Sequence, residues 1–174
     1  MQRYKASIVL CTATQPTLDS FFSSETKATE LCPHMEEQFH FFERVVFHNI
    51  GAITGETLTD MLKEEQQALC IVNTKKDAQN LYQKLEGEGV YHLSTTMYPK
   101  HRKKILNLIR ERLQSGKRCI LISTSLVEAG VDLDFVSVYR QVTGVDAVIQ
   151  AAGRCNREGK RKKEESVVNV FELE

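Results

Sequence analysis

Ala68-Leu-Cys-Ile-Val-Asn73, running straight into Thr74-Lys-Lys-Asp77, is the stretch that decides the fold. An unbroken apolar run of that length reads as a strand buried on both faces. Thr74 caps a following helix, with Asp77 three residues on as its capping-box partner. Ala78, Leu81, Tyr82 and Leu85 give that helix one apolar stripe, and Gly87 and Gly89 end it. A strand buried on both faces needs helices above and below, so the rest of the chain must supply more of the same.

The alternation continues in both directions. Upstream, residues 44–48 read as a strand, and Leu58, Met61 and Leu62 keep helical spacing to about Gln67. Downstream come a strand at 90–94 and a helix at 101–113 with Ile105, Leu108, Ile109 and Leu113 on one face. Strands at 119–123 and 135–139, a short helix at 147–151 and a last strand at 167–171 complete the series. Strands separated by helices predict βαβ units, hence an α/β fold with a parallel sheet sandwiched by helices. Residues 6–13 read as a further buried strand and 16–22 as a short helix with Pro16 in its first turn. Residues 23–43 are polar and irregular apart from a helical turn near 35–42, which places a boundary between units 1–43 and 44–174.

Composition narrows the function. The 174 residues carry 23 Lys+Arg and 23 Asp+Glu, so any nucleic-acid binding must come from a local site rather than a global basic field. None of the five cysteines forms a CxxC pair, which excludes a disulfide framework and a zinc site by spacing. Cys11, Cys70 and Cys119 lie inside apolar runs as small hydrophobes, consistent with a reducing cytoplasm. No signal peptide follows Met1, and no apolar stretch approaches the roughly 20 residues needed to span a bilayer. The charge run at 160–165 reads as a solvated loop.

Three segments carry chemistry. In Gln150-Ala-Ala-Gly153-Arg154-Cys-Asn-Arg157, at the end of a helical turn, two arginines three apart lie on one helical face. Each guanidinium can grip phosphate oxygens in a bidentate way, and charge developing on a transferred phosphoryl group calls for such cations. Gly153 leaves room for close approach. In Ser123-Thr-Ser-Leu-Val-Glu-Ala-Gly-Val-Asp132, the hydroxyls stand at the carboxyl end of a buried strand, where open α/β sheets bind ligands. Thr124 and Ser125 also suit a helix cap, with Gly130 as its end, and Asp132 can accept from a ribose hydroxyl. The third segment, Thr12-Ala13-Thr14, is on its own only a strand end with two hydroxyls.

Together, in this order, the three resemble motifs III, V and VI of superfamily 2 helicases. Thr12-Ala-Thr14-Gln-Pro16, Ile71-Val-Asn-Thr-Lys75, Leu93-Ser-Thr95 followed by His101-Arg102, and Glu128-Ala-Gly-Val-Asp132 are most similar to the helicase–nuclease of type I CRISPR systems. The resemblance covers nearly the whole chain. It implies a second RecA-like helicase domain at 44–174, preceded by a remnant of the first at 1–43. Arg154 and Arg157 would then be arginine fingers, with Gln150, Gly130 and Asp132 at the nucleotide. Thr74, Ser94, Thr95 and Thr124 would touch the backbone of single-stranded DNA, and Thr12 and Thr14 would couple hydrolysis to movement. Ala151 stands where many superfamily members carry Arg or His, which removes one contact but neither finger. The family's cofactors are ATP and Mg2+, and its recruiting partner is an RNA-guided surveillance complex in antiviral defence.

None of the nine glycines opens a P-loop, because none is followed by Lys-Ser or Lys-Thr, and no Asp-Glu-x-His run exists. The resemblance places both on the first RecA-like domain, and a His-Asp nuclease domain elsewhere. The chain alone is therefore expected to be inactive as an ATPase, with no metal site of its own and no bound cofactor. An uncovered strand at 6–13 is unstable in water, so it is expected to pack on the second domain or to swap into a homodimer. Two other readings stay open: a standalone nucleic-acid-binding module, and a domain that regulates a partner ATPase in trans.

Overall fold

Gln67–Ile71 and Cys119–Ser123 are strands buried at every position, and they pair side by side in parallel. The computed structural model describes residues 43–95, 97–127 and 131–174, together with Val9, Thr29, Leu31, His34, Glu37 and His40. The expected strand at 6–13, its swapping, the helix at 16–22, and Thr12, Thr14 and Gly130 lie outside the described residues. The chain divides into two compact units, Met1–Gln38 and Phe39–Glu174.

The elements of the second unit are β1 (Val46–Ile53), α1 (Gly55–Glu64), β2 (Gln67–Ile71), α2 (Lys75–Leu85), β3 (Val90–Leu93), α3 (Pro99–Gln114), β4 (Cys119–Ser123), β5 (Ser137–Gln141), α4 (Val145–Ala152) and β6 (Val167–Leu173). The strands form one sheet in the order β1-β6-β5-β2-β4-β3, every pairing parallel. The pleat of β2 sorts its side chains into two cores. Leu69 and Ile71 join Leu121, Val138 and Ile109 under α3 and α4. Ala68 and Cys70 join Ile120, Leu58, Leu62, Ala78 and Leu81 under α1 and α2. Each fully buried Leu or Ile contributes about 1.5–3 kcal/mol, so the two faces hold the sheet from both sides.

Polar groups set the ends. Thr54 and Thr74 cap α1 and α2 by accepting from the Thr57 and Asp77 amides at 3.2 and 3.1 Å. The Thr74 hydroxyl also donates to the Asp77 carboxylate at 2.5 Å, a side-chain contact rather than the carboxylate-to-amide bond that a capping box makes. Gln67, at the start of β2 and almost fully buried, donates to the carbonyls of Leu113 and Lys117, both at 3.1 Å, and so closes the carboxyl end of α3.

The elements differ from the sequence reading at their edges. Helix α3 begins at Pro99, which fits a first helical turn. Strand β5 begins at Ser137 because Phe135 is drawn into a separate parallel bridge with Cys155. Strand β1 runs on to Ile53 through a register shift between Asn49 and Gly51, with Gly51 at φ +72° and its amide donating to the Asn49 side chain at 3.0 Å. The charge run at 160–165 is not simply a solvated loop. Lys163 pairs with Glu43 at 2.7 Å, and Arg161 turns inward to Asp134 at 3.1 Å. Among the described residues no helix is long and apolar enough to cross a membrane.

Packing has measurable consequences at two glycines and three cysteines. Gly89 has φ +82°, and a Cβ there would collide with the Arg118 carbonyl, whereas Gly116 at φ +66° faces open space. Gly116→Ala should cost about 1 kcal/mol and Gly89→Ala at least about twice that in urea unfolding; equal costs would contradict this packing. Burial pushes the thiols of Cys70, Cys119 and Cys155 up to about 12, and the thiolate is the reactive form. Iodoacetamide at neutral pH should leave all three unmodified in the folded chain and label them in urea, as read by peptide mass mapping.

Candidate functional site

All strands run parallel, so every loop that follows a strand emerges at the same edge of the sheet. Strands β2, β4 and β3 are consecutive neighbours, which brings Thr74, Thr124 and the Ser94–Thr95 pair side by side on that edge. The arrangement is fixed from below. Ser123 donates its hydroxyl to the Leu93 carbonyl at 3.1 Å, tying the ends of β4 and β3. Asn73 is held on three sides: its amide donates to the Gln141 side chain at 2.8 Å, its Nδ2 to the Val142 carbonyl at 2.9 Å, and its Oδ1 accepts from Arg140 at 2.7 Å. That clamp locks the residue before Thr74 to the end of β5. Thr74 and Thr95 stand exposed, while Ser94 and Thr124 are nearly buried. The expected helix after Thr124 is a single 3-10 turn, Ser125–Val127.

The arginine segment follows helix α4 and meets that edge through the turn after Thr124. Helix α4 stops at Ala152, and Gly153 closes it with φ −63°. Arg154 and Arg157 therefore do not share a helix face, contrary to the spacing argument. A Cβ on Gly153 would come within 3.3 Å of the Gln150 carbonyl, so the glycine accommodates its own helix end rather than an open approach. After it the chain pairs with the residues leading into β5: the Phe135 amide donates to the Arg154 carbonyl at 2.9 Å, and the Asn156 amide to the Phe135 carbonyl at 3.0 Å.

This pairing sends the two arginines different ways. Arg154 is buried, and its Nε donates to the Val127 carbonyl at 2.9 Å, joining the arginine segment to the turn after Thr124. Arg157 lies at the surface, where its Nε meets the Asp132 carboxylate at 2.6 Å, with side-chain exposures of 44% and 80%. An ion pair so open to solvent contributes about 0–1 kcal/mol, so a competing anion can take the guanidinium at little cost. Gln150 is exposed on α4. A cavity of about 310 Å³ opens beside the pair, lined by Asp132, Asp134, Glu158, Lys160 and Arg161 among others.

Three residues that escaped the sequence reading hold this segment. Asn156 is buried at φ 47°, a left-handed conformation that asparagine tolerates. Its Nδ2 donates to the carbonyls of Arg44 at 3.0 Å and Arg161 at 2.8 Å, and its Oδ1 accepts from the Arg161 amide at 3.0 Å. Asp134 accepts from the Arg157 amide at 2.7 Å and from the Arg161 guanidinium at 3.1 Å. Only an asparagine between the two arginines, a residue type that tolerates a left-handed turn, hinted at such a clamp. Among the described residues, no group of three or more His, Cys, Asp or Glu is placed to hold a metal ion.

Comparison with known proteins gives the family and the fold. Residues 64–160, more than half the chain, match the family model for the C-terminal part of the CRISPR-associated nuclease/helicase Cas3. The Cas3 of Haloferax volcanii is 32% identical over 144 residues, covering 78% of this chain. That of Methanothermobacter thermautotrophicus is 28% identical over 124 residues, covering 71%. The chain spans 15% and 14% of the length of these two relatives. Among solved structures, T. fusca Cas3-ATP superposes with a TM-score of 0.62 at 22% identity, over 75% of this chain and 18% of that one. The C-terminal domain of the DEAD-box protein Dbp5 does so with a TM-score of 0.57 at 20% identity, over 76% and 78%. These likenesses identify the doubly covered parallel sheet as the RecA-like fold of helicase C-terminal domains, and this chain belongs to the Cas3 family as part of its C-terminal helicase portion.

Proposed function

We propose that the chain is the second RecA-like half of an ATP-driven translocase on single-stranded DNA, acting within a longer helicase–nuclease of CRISPR antiviral defence. The observation that carries the reading is the surface pair Arg157–Asp132. It puts a guanidinium where an incoming phosphate can replace a weakly held carboxylate, on a loop braced by Asn156 and Asp134. Arg157 is assigned the direct contact with the terminal phosphate. Arg154 is assigned as the second finger, and its Nε bond to the Val127 carbonyl keeps the two segments in register. Gln150, Gly130 and Asp132 are assigned to the nucleotide. Thr74, Ser94, Thr95 and Thr124 are assigned to the strand's backbone, with Thr74 and Thr95 as the contacts open at the surface. Thr12 and Thr14 are assigned to coupling.

ATP supplies the phosphoryl group whose transfer drives movement. The described residues offer no cluster for Mg2+, and none of the roles assigned to them runs through the ion. The P-loop that cradles the phosphates is assigned to a first RecA-like domain, of which residues 1–43 are read as the remnant. The recruiting partner is assigned as an RNA-guided surveillance complex, and the compartment as the cytoplasm.

The test mixes the chain with a separately produced first RecA-like domain of the same protein. The chain alone should show no ATPase activity. The mixture should show ATPase stimulated by single-stranded DNA, and Arg157→Ala should lower its kcat by about a thousandfold, as removal of an arginine finger does. Hydrolysis by the isolated chain, or an Arg157→Ala mixture as fast as the parent, would refute the assignment. DNA binding with no rescue of hydrolysis would favour the standalone binding module.

A further inference from the structure

Helix α3 carries Lys100, His101, Arg102, Lys103 and Lys104 in succession at its amino end, with no acidic residue in its first turn. The aligned peptide dipoles repel cations there, so the charges are placed against the helix rather than in its service. None of the five forms an ion pair among the described residues. In a chain of zero net charge this is an uneven distribution. Lys100, His101, Lys103 and Lys104 are exposed, and with Tyr98 and Asn107 they bound an open groove of about 590 Å³. Tyr98 is 73% exposed, an aromatic ring left in water at the mouth of a cationic groove.

We infer that this groove is a second contact for single-stranded nucleic acid, with Tyr98 stacking on a base and Lys100, Lys103 and Lys104 meeting successive phosphates. The inference extends the single-strand reading of the carboxyl edge. Its own grounds are the charge, the ring and their position. Positions 100, 103, 104 and 107 lie on one helical face, a stripe about 10 Å long at 1.5 Å rise per residue. Tyr98 leads into it three residues after Thr95, beyond the end of edge strand β3. A strand crossing the hydroxyls after β2, β4 and β3 leaves the sheet directly onto this stripe. Cations with an interleaved aromatic ring suit bases on a phosphate backbone, and the position of the stripe beside the hydroxyl edge favours that partner.

The measurement is fluorescence anisotropy of a labelled oligothymidylate of about 16 nucleotides, titrated with the full chain between about 50 and 200 mM salt. The variants are Lys100→Gln/Lys103→Gln/Lys104→Gln, Tyr98→Ala and Thr95→Val. All alter exposed side chains, and each must match the parent in thermal unfolding. The triple variant should bind at least about tenfold more weakly, with a salt slope lower by about 2 at about 0.7 per phosphate. Tyr98→Ala should bind about tenfold more weakly and lose the parent's preference for the oligothymidylate over an abasic strand of equal length. If Thr95→Val weakens binding and the triple variant does not, the groove is overturned while the edge reading stands. If the triple variant loses binding and Thr95→Val does not, the groove stands without the edge. Equal affinity for the abasic strand, or Tyr98→Ala indistinguishable from the parent, reduces the groove to a general polyanion surface and overturns the inference. No binding by the parent chain overturns it as well, whatever the reconstituted ATPase does.

Discussion

Two adjacent strands with no exposed position govern everything else in this domain. Because β2 and β4 are buried on both faces, neither face of the sheet can be left to solvent, and helices must cross from one side to the other between strands. A crossover returns the chain to the same end of the sheet, so the pairing is parallel and the strands' carboxyl ends gather on one edge. The functional layout is a by-product of that packing rule. Hydroxyl-bearing loops collect on one edge because strands end there, and the arginine segment, which follows a helix, is tied to one of those loops by the Arg154–Val127 hydrogen bond.

Much of this was legible in the chain, and the parts that were not share a physical cause. Cys119–Ser123 kept the bounds its apolar run implied, and Thr74 capped α2 by accepting from the Asp77 amide, since both signals are local. Periodicity ended α4 at 151, within a residue of its observed end at Ala152, yet the two arginines beyond it were still placed on one helical face, and that face does not exist. The competing influence was tertiary: residues 154–156 pair with the segment entering β5, and backbone hydrogen bonds there outweigh continuing the helix. Asn156, Asp134 and Arg161 went unseen for the same reason. Their partners lie as far off in sequence as Arg44, and no local pattern announces a contact across that distance. The types of residue at the site could be read from the chain. Which guanidinium is buried and which is exposed could not, because that depends on Val127 and Asp132 arriving beside them.

The two ion pairs around the arginine loop show how exposure divides labour among similar contacts. Arg161 and Asp134 are mostly shielded, and Asp134 is also bound by the Arg157 amide, so this pair belongs to the scaffold. Arg157 and Asp132 meet at a shorter distance but in water, where proximity is worth little. The shorter contact is therefore the weaker one, and the loop keeps its shape while its outermost side chain stays exchangeable.

Strand β1 lies at the rim of the sheet, where among the described strands it has β6 on one side only. A regular strand in that position offers its free amides and carbonyls to any passing chain, which is how sheets recruit copies of themselves. The irregularity at Asn49 and Gly51 spoils that template. It shifts the register in mid-strand, and the Gly51 amide is occupied by a side chain two residues away. One asparagine and one glycine thus make β1 a poorer template for edge-to-edge pairing than a regular strand would be.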